Sequence, residues 1–312
     1  MERKSTEKLR FNWSAVAGHE QAKFFLENAI LTNKLSHAYL FTGPAHIGKT
    51  TLALELGKIL NCSGSRRPCG NCRACTGGLI NYSLQLIDQE TPIKVEQVRE
   101  LKNKFSLKGF AGIFKIGIIS QAENLTPEAG NALLKMLEEP GDRTVFILTS
   151  PQPNSLPQTI ISRMQRIRLR PLSKDKVEGF LKSQQAKLSS DKRNELATNS
   201  FGRVGLAKRF LGDEVFYAEW KESLSRIRKL RQMRLFERIQ ESSAVSASET
   251  EKLKQVVKKW LLVLQQDIAT GENEKELIGN LKTAQVLLET YHSLRLNLNK
   301  RLTFDNLMIK LN

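Results

Sequence analysis

The segment from Ala38 to Asn61 narrows the possible folds of this chain more than any other. An apolar stretch, Ala38-Tyr39-Leu40-Phe41, leads directly into Gly43-Pro44-Ala45-His46-Ile47-Gly48-Lys49-Thr50. A helical pattern follows from about Lys49 to Asn61, with Leu52, Leu56, Ile59 and Leu60 on one face. The loop fits G-x-x-x-x-G-K-[ST], and a strand before it with a helix after it is the context in which that pattern holds phosphate. Glycines let backbone N–H groups wrap an anion, and the helix N-terminus adds the positive end of its dipole. Lys49 would reach the β- and γ-phosphates of a nucleotide and the Thr50 hydroxyl would take Mg²⁺. The nucleotide-binding set is therefore Gly43, Gly48, Lys49, Thr50 and Thr51. His46 stands where many such loops carry glycine, so a loop that keeps its shape but binds nothing stays open as an alternative.

The residues around this unit repeat its rhythm. Leu84-Gln85-Leu86-Ile87, Phe114 to Ile119 and Thr144 to Thr149 read as strands. Helical patterns cover about 95–105 and 127–139, the second opened by Thr126-Pro127-Glu128 and stopped by Pro140-Gly141. Strands alternating with helices predict a parallel sheet covered on both faces. After Arg166-Ile167-Arg168-Leu169-Arg170-Pro171-Leu172 only short helical patterns remain, and from about Asp213 the chain reads as helices with polar joints near 242–249 and 270–275. The expected organisation is an α/β nucleotide-binding domain over 1–170, a small helical lid domain over 171–211 and an all-α domain over 212–312.

All four cysteines, Cys62, Cys69, Cys72 and Cys75, fall in one short segment with the spacing C-x6-C-x2-C-x2-C. Each x2 spacing lets two thiolates face one ion, and four complete a tetrahedral shell that suits structural Zn²⁺. An iron–sulfur cluster is the rival, although nothing else here suggests redox chemistry. The first residues contain no apolar core of a secretory signal, and no apolar run approaches the ~18 residues that span a bilayer, so a cytoplasmic protein is expected. Net charge is +17, which favours nucleic acid as a partner. The densest basic runs, Arg226 to Arg231 and Lys252, Lys254, Lys258 and Lys259, fall on amphipathic patterns and read equally well as exposed helix faces.

Taken together, these residues resemble the AAA+ clamp-loader subunits of bacterial DNA polymerase III. His37-Ala38-Tyr39-Leu40-Phe41-Thr42-Gly43-Pro44 looks like that family's approach to the phosphate loop, and the cysteines sit where the family carries its zinc module. Asn131 to Pro140 is similar to a specific family helix, and Pro157 to Arg163 to the stretch ending in Ser-Arg-Cys. Asn297 to Leu302, with Asn306 and Leu307, looks like the collar domain, which serves oligomerisation. The resemblance implies ATP binding, DNA replication, and a hetero-oligomer with gamma/tau- and delta-type subunits, a sliding clamp and primed DNA.

Three departures separate this chain from hydrolysing members. Where they end a strand in Asp-Glu, this chain has Ser120 and Gln121, neither of which can serve as a base or strong metal ligand. Gly205 stands where they place a γ-phosphate-reading arginine, with Arg203 nearby but out of phase, and Met164 replaces the Cys of Ser-Arg-Cys. The pattern resembles the delta-prime, stator type of subunit. That implies no intrinsic hydrolysis, with Arg163 acting as an arginine finger on a neighbour's nucleotide. Two other readings compete: an active ATPase that uses Glu123 in place of the lost carboxylates, and a basic DNA-binding module with a vestigial nucleotide fold.

Overall fold

Alternation along the apolar strands decides the architecture. In the computed structural model, which describes residues 9–77, 84–89, 91–106, 113–246, 248–270, 273–296 and 298–311, the chain divides into two compact units, Met1–Lys208 and Arg209–Asn312. The first unit runs β1 (Arg10–Phe11), α1 (Glu20–Leu31), β2 (Ala38–Thr42), α2 (Lys49–Asn61), β3 (Arg66–Arg67), α3 (Arg73–Thr76), β4 (Leu84–Ile87), α4 (Val95–Ser106), β5 (Lys115–Ile119), α5 (Pro127–Glu138), β6 (Thr144–Ser150), α6 (Gln158–Ile161), β7 (Gln165–Arg168), α7 (Lys174–Gln184), α8 (Ser190–Asn199) and α9 (Val204–Gly212), the last of which crosses the boundary. Five strands form one all-parallel sheet in the order β4-β5-β6-β2-β7.

The two faces of that sheet can be read off single strands. Tyr39, Phe41, Ile116, Ile118, Val145 and Ile147 point to one side, where Ala22 and Leu26 of α1 and Leu52, Leu56 and Ile59 of α2 cover them. Ala38, Leu40, Phe146 and Leu148 point to the other, under Val98, Leu101 and Phe105 of α4 and Leu133 and Leu137 of α5. A strand buried on both faces must be apolar throughout, which is why β2 shows no polar alternation. Each such large side chain contributes about 1.5–3 kcal/mol by leaving water. Thr126 caps α5, its hydroxyl accepting from Ala129 N at 3.3 Å, with Pro127 filling a position that needs no N–H.

The helices and strands expected over 38–61, 84–87, 95–105, 114–119, 127–139 and 144–149 are all present to within two residues at either end. Three elements were not anticipated. β7 is an edge strand inside the stretch read only as a change of character. Its exposed positions Gln165, Arg166 and Arg168 flank the single buried Ile167, so a half-buried strand looked like a basic linker. β1 and β3 pair in parallel, too short to leave a periodic signal.

The second unit contains α10 (Glu214–Gln232), α11 (Leu235–Ser246), α12 (Thr250–Thr270), α13 (Glu274–Arg295) and α14 (Lys300–Lys310). Its core gathers Trp220, Leu224, Leu253, Val257, Trp260, Leu287, Leu294, Phe304, Leu307 and Met308. The polar joint expected at 242–249 begins later than its serines suggested. Ser242 is buried in α11, and its hydroxyl donates to Asp305 at 2.7 Å. That bond, then the Arg301 guanidinium, holds the Asp305 carboxyl below its usual range. Residues 271–272 of the second joint, and Asn297 of the terminal motif, lie outside the described residues. Several of the basic side chains are paired within the unit: Arg226 with Glu241, Lys254 with Glu251 at 2.6 Å, and Lys259, which donates to Ser223 at 2.9 Å. Among the described residues no helix is long and apolar enough to cross a membrane.

Candidate functional site

The phosphate loop leaves β2 at the carboxyl end of the sheet, where open parallel sheets place their ligands. Gly43 has a φ of 139°, and a Cβ there would lie 2.3 Å from the Leu169 carbonyl, so only glycine fits. His46 adopts the left-handed region with a φ of 61°, which is where the family loop's glycine would be unstrained. The loop is held by its carbonyls. Lys49 Nζ donates to Gly43 O at 2.9 Å and Pro44 O at 2.8 Å, Gly205 N donates to His46 O at 2.7 Å, and His19 Nε2 donates to Ile47 O at 2.9 Å. Burial keeps His19 below its usual pKa, so a neutral ring makes that last bond. With four carbonyls tied back into the protein, the loop suits the offering of amides to an anion.

Lys49 is buried, and two of its three ammonium N–H groups are used by the loop, leaving one for a ligand. Burial pulls its pKa down to about 8. The Glu123 carboxylate opposes that and the Arg203 guanidinium reinforces it. Thr50 Oγ1 lies 2.9 Å from Ser120 Oγ, so the hydroxyl expected to hold Mg²⁺ is paired with the side chain that replaces a carboxylate. Gln121 turns away in the left-handed region, at a φ of 52°. Thr51 is exposed on the first turn of α2.

Gly205 has a steric reason. A Cβ at that position would meet His46 O at 2.8 Å, so no arginine fits there while α9 rests on the loop. Arg203, two residues earlier, lies beside Lys49 instead. Spacing placed Arg203 out of phase, but it precedes α9 and is not bound by that helix's periodicity.

Arg163 lies just after α6, exposed, with Nη2 2.7 Å from Glu138 Oε1 and Nη1 donating to Thr159 O at 2.9 Å. The register of β7 on β2 sets Gln165 beside Tyr39 and Arg168 beside Thr42. Arg163 therefore sits at the amino end of the sheet, roughly 20 Å along the strand direction from its own phosphate loop at ~3.3 Å per residue. Met164 is buried in the α4–α5 face of the core.

The four cysteines converge. Their ligand atoms all lie within 4.8 Å of one another, with Cys72 3.4 Å from Cys75, 3.8 Å from Cys62, and Cys69 4.0 Å from Cys75. Sulfurs about 2.3 Å from one Zn²⁺ lie about 3.8 Å apart in a tetrahedron, so the donor set fits that ion. Amides support the sulfurs: Gly64 N and Cys69 N donate to Cys62 Sγ at 3.4 and 3.3 Å, and Cys72 N to Cys69 Sγ at 3.3 Å. Against its burial, the Cys72 thiol is drawn down to about 6 by the Ser63 amide and the Cys75 thiol. Burial pushes Cys75 up to about 12, the Gly70 amide opposing and the Cys72 and Cys62 thiols adding to it. The hairpin between Cys62 and Cys69 carries β3, to which β1 is bonded through Arg10 N to Ser65 O at 3.0 Å and Asn12 N to Arg67 O at 2.6 Å.

Comparison with known proteins gives three findings. The profile of the family described as DNA polymerase III, delta subunit matches residues 18–173, half of the chain. A DNA polymerase III subunit delta' from Bacillus subtilis is 40% identical over 162 residues, covering 50% of this chain and 49% of that one. The subunit tau of the same organism is 38% identical over 169 residues, 53% of this chain and 30% of that one. The chain thus spans half or less of the curated relatives it matches. A gamma subunit-related protein from Thermotoga maritima shares 18% identity at a TM-score of 0.45, over 91% of this chain and 97% of that one, a likeness too loose to add to these.

Proposed function

Because the chain belongs to the DNA polymerase III delta-subunit family of clamp-loader proteins, we propose that it is a delta-prime-like stator, which supports ATP-dependent loading of a sliding clamp without hydrolysing ATP itself. The observation that carries this is the Ser120–Thr50 hydroxyl pair at 2.9 Å. A hydrolysing site needs a carboxylate there to hold Mg²⁺ and another beside it to orient water. Here Ser120 and Gln121 offer neither. Other clamp-loader subunits are its partners by family, and the clamp, primed DNA and a cytoplasmic setting belong to the proposal. In it, residues 1–170 form an AAA+ domain, 171–211 the lid and 212–312 the collar.

In this reading the chain contributes to catalysis through Arg163. The guanidinium leaves Glu138, extends from the exposed end of α6 and donates to oxygens of a γ-phosphoryl group bound by the adjacent subunit, where charge builds as the bond to the leaving oxygen breaks. The cysteine cluster would hold structural Zn²⁺, since four protein ligands leave no open position for a reacting water.

One observation favours a second reading, an active ATPase. Glu123 faces Lys49, and its Oε2 is buried with no hydrogen-bond partner. A base placed there would supply about 10²–10⁴ in rate. Glu123→Gln is isosteric and uncharged. In the assembled complex we expect its ATP turnover to match wild type within about twofold; a drop of about 10²-fold or more would put the active-ATPase reading in place of the stator.

A further inference from the structure

A buried cation without a partner requires a reason, because an uncompensated charge away from water is costly and native structures leave few such groups. Arg203 is one. Its Nε is buried with no hydrogen-bond partner, and no ion pair is formed by its guanidinium among the described residues. The group it faces is another cation, Lys49, itself buried at the mouth of the phosphate loop with one N–H free. Two like charges are thus held together by the fold: Lys49 is fixed by the loop carbonyls, and Arg203 by its place between Ser200, whose carbonyl its N–H meets at 3.0 Å, and Gly205, which is bonded to His46. The one carboxylate near them, Glu123, keeps an unpartnered oxygen and forms no ion pair with either.

A site with two converging cations and an amide-presenting loop is incomplete without a polyanion. We propose that the loop retains a nucleoside polyphosphate as a static ligand and that Arg203 is a phosphate-binding residue, serving from the lid in place of the side chain that Gly205 cannot carry. This rests on the reading that the loop still shapes a nucleotide pocket. Arg203 and Lys49 would bracket the terminal phosphates. With Thr50 engaged by Ser120, the protein's own cations do most of the neutralisation that a metal provides in hydrolysing relatives. Binding should therefore depend only weakly on Mg²⁺.

The pH behaviour follows from the same pair. Burial, with Arg203 adding to it and Glu123 opposing, holds Lys49 near 8 in the free protein, and a bound phosphate returns its proton. Affinity is then full below about pH 8 and falls as pH rises beyond it. Removing the Arg203 charge removes its repulsion of Lys49, so the fall begins at a higher pH.

The test is titration of the full-length chain with ATP, ADP and pyrophosphate, with Mg²⁺ and with EDTA, alongside thermal melting and a turnover assay on the same samples. Arg203→Ala and Arg203→Gln are expected to weaken ATP binding about tenfold or more, the loss of a charged hydrogen bond. Arg203→Lys should recover part of it, and none of the three should lower the melting temperature of the ligand-free protein. The proposal is overturned if wild type binds none of the three ligands at millimolar concentration, if Arg203→Ala and Arg203→Gln bind as tightly as wild type, or if all three variants melt lower without ligand. Turnover in these samples would sink the non-hydrolysing reading and leave Arg203 standing, so the two fail separately.

Discussion

A clamp loader reconstituted with Arg163→Ala is expected to assemble normally and to lose about 10³–10⁵-fold of the hydrolysis rate at the site next to this chain. Both halves follow from how the side chain is held. Its pair with Glu138 is open to solvent on both sides, at 38% and 48% exposure, and exposed pairs contribute less than about 1 kcal/mol. Truncation should leave the fold intact. An arginine finger acts by contrast on charge that develops only in the transition state, where a fork of fixed donors has no replacement in water. Arg163→Lys keeps the charge but loses the fork and should recover only a small part. Because β7 places Arg163 at the far end of the sheet from its own loop, the loss cannot come from this chain's own nucleotide. Single-turnover hydrolysis in the mutant complex is the measurement, and a wild-type rate there would remove the assignment.

Loss of the metal is the second large effect expected. Native mass spectrometry should show one zinc per chain in wild type and none in Cys72→Ser. Structural zinc contributes about 10–16 kcal/mol to small zinc domains that fold only around it. Here the parallel sheet has its own apolar core on both faces, so the damage should stay with the segments the cysteines organise. Hydrogen exchange locates it: the Arg10 and Asn12 amides, bonded to Ser65 O and Arg67 O, should lose their protection in the variant, while β2, β5 and β6 keep theirs. A metal-free wild type with four titratable thiols, or unchanged protection at Arg10 and Asn12, would contradict the zinc assignment.

The sheet, its order of elements and the phosphate loop were legible because each has a strong local cause. β2 and β6 are apolar on both faces, Thr126-Pro127 marks a helix start, and the glycines of the loop are tied to backbone geometry. The cysteines were legible by spacing, and the structure adds that all four sulfurs meet. What escaped were pairings made at a distance. β7 showed one buried residue in four, and β1 exists only because the cysteine hairpin offers it an edge. Ser242 looked like a linker residue until Asp305, from the other end of the unit, supplied its partner. In the site, Gly205 read as a missing arginine. Its closeness to His46 shows it as a contact that keeps α9 on the loop, and only that contact brings Arg203 to Lys49. The Glu138 hold on Arg163 likewise joins two separate helices and leaves no mark in either segment.

The most direct test of the central claim is steady-state ATP turnover by the isolated full-length chain beside its Lys49→Ala variant, in Mg²⁺ at saturating ATP. A non-hydrolysing subunit, with Ser120 and Gln121 where carboxylates would stand, should give the same background rate in both. Turnover in wild type that disappears in Lys49→Ala would contradict it.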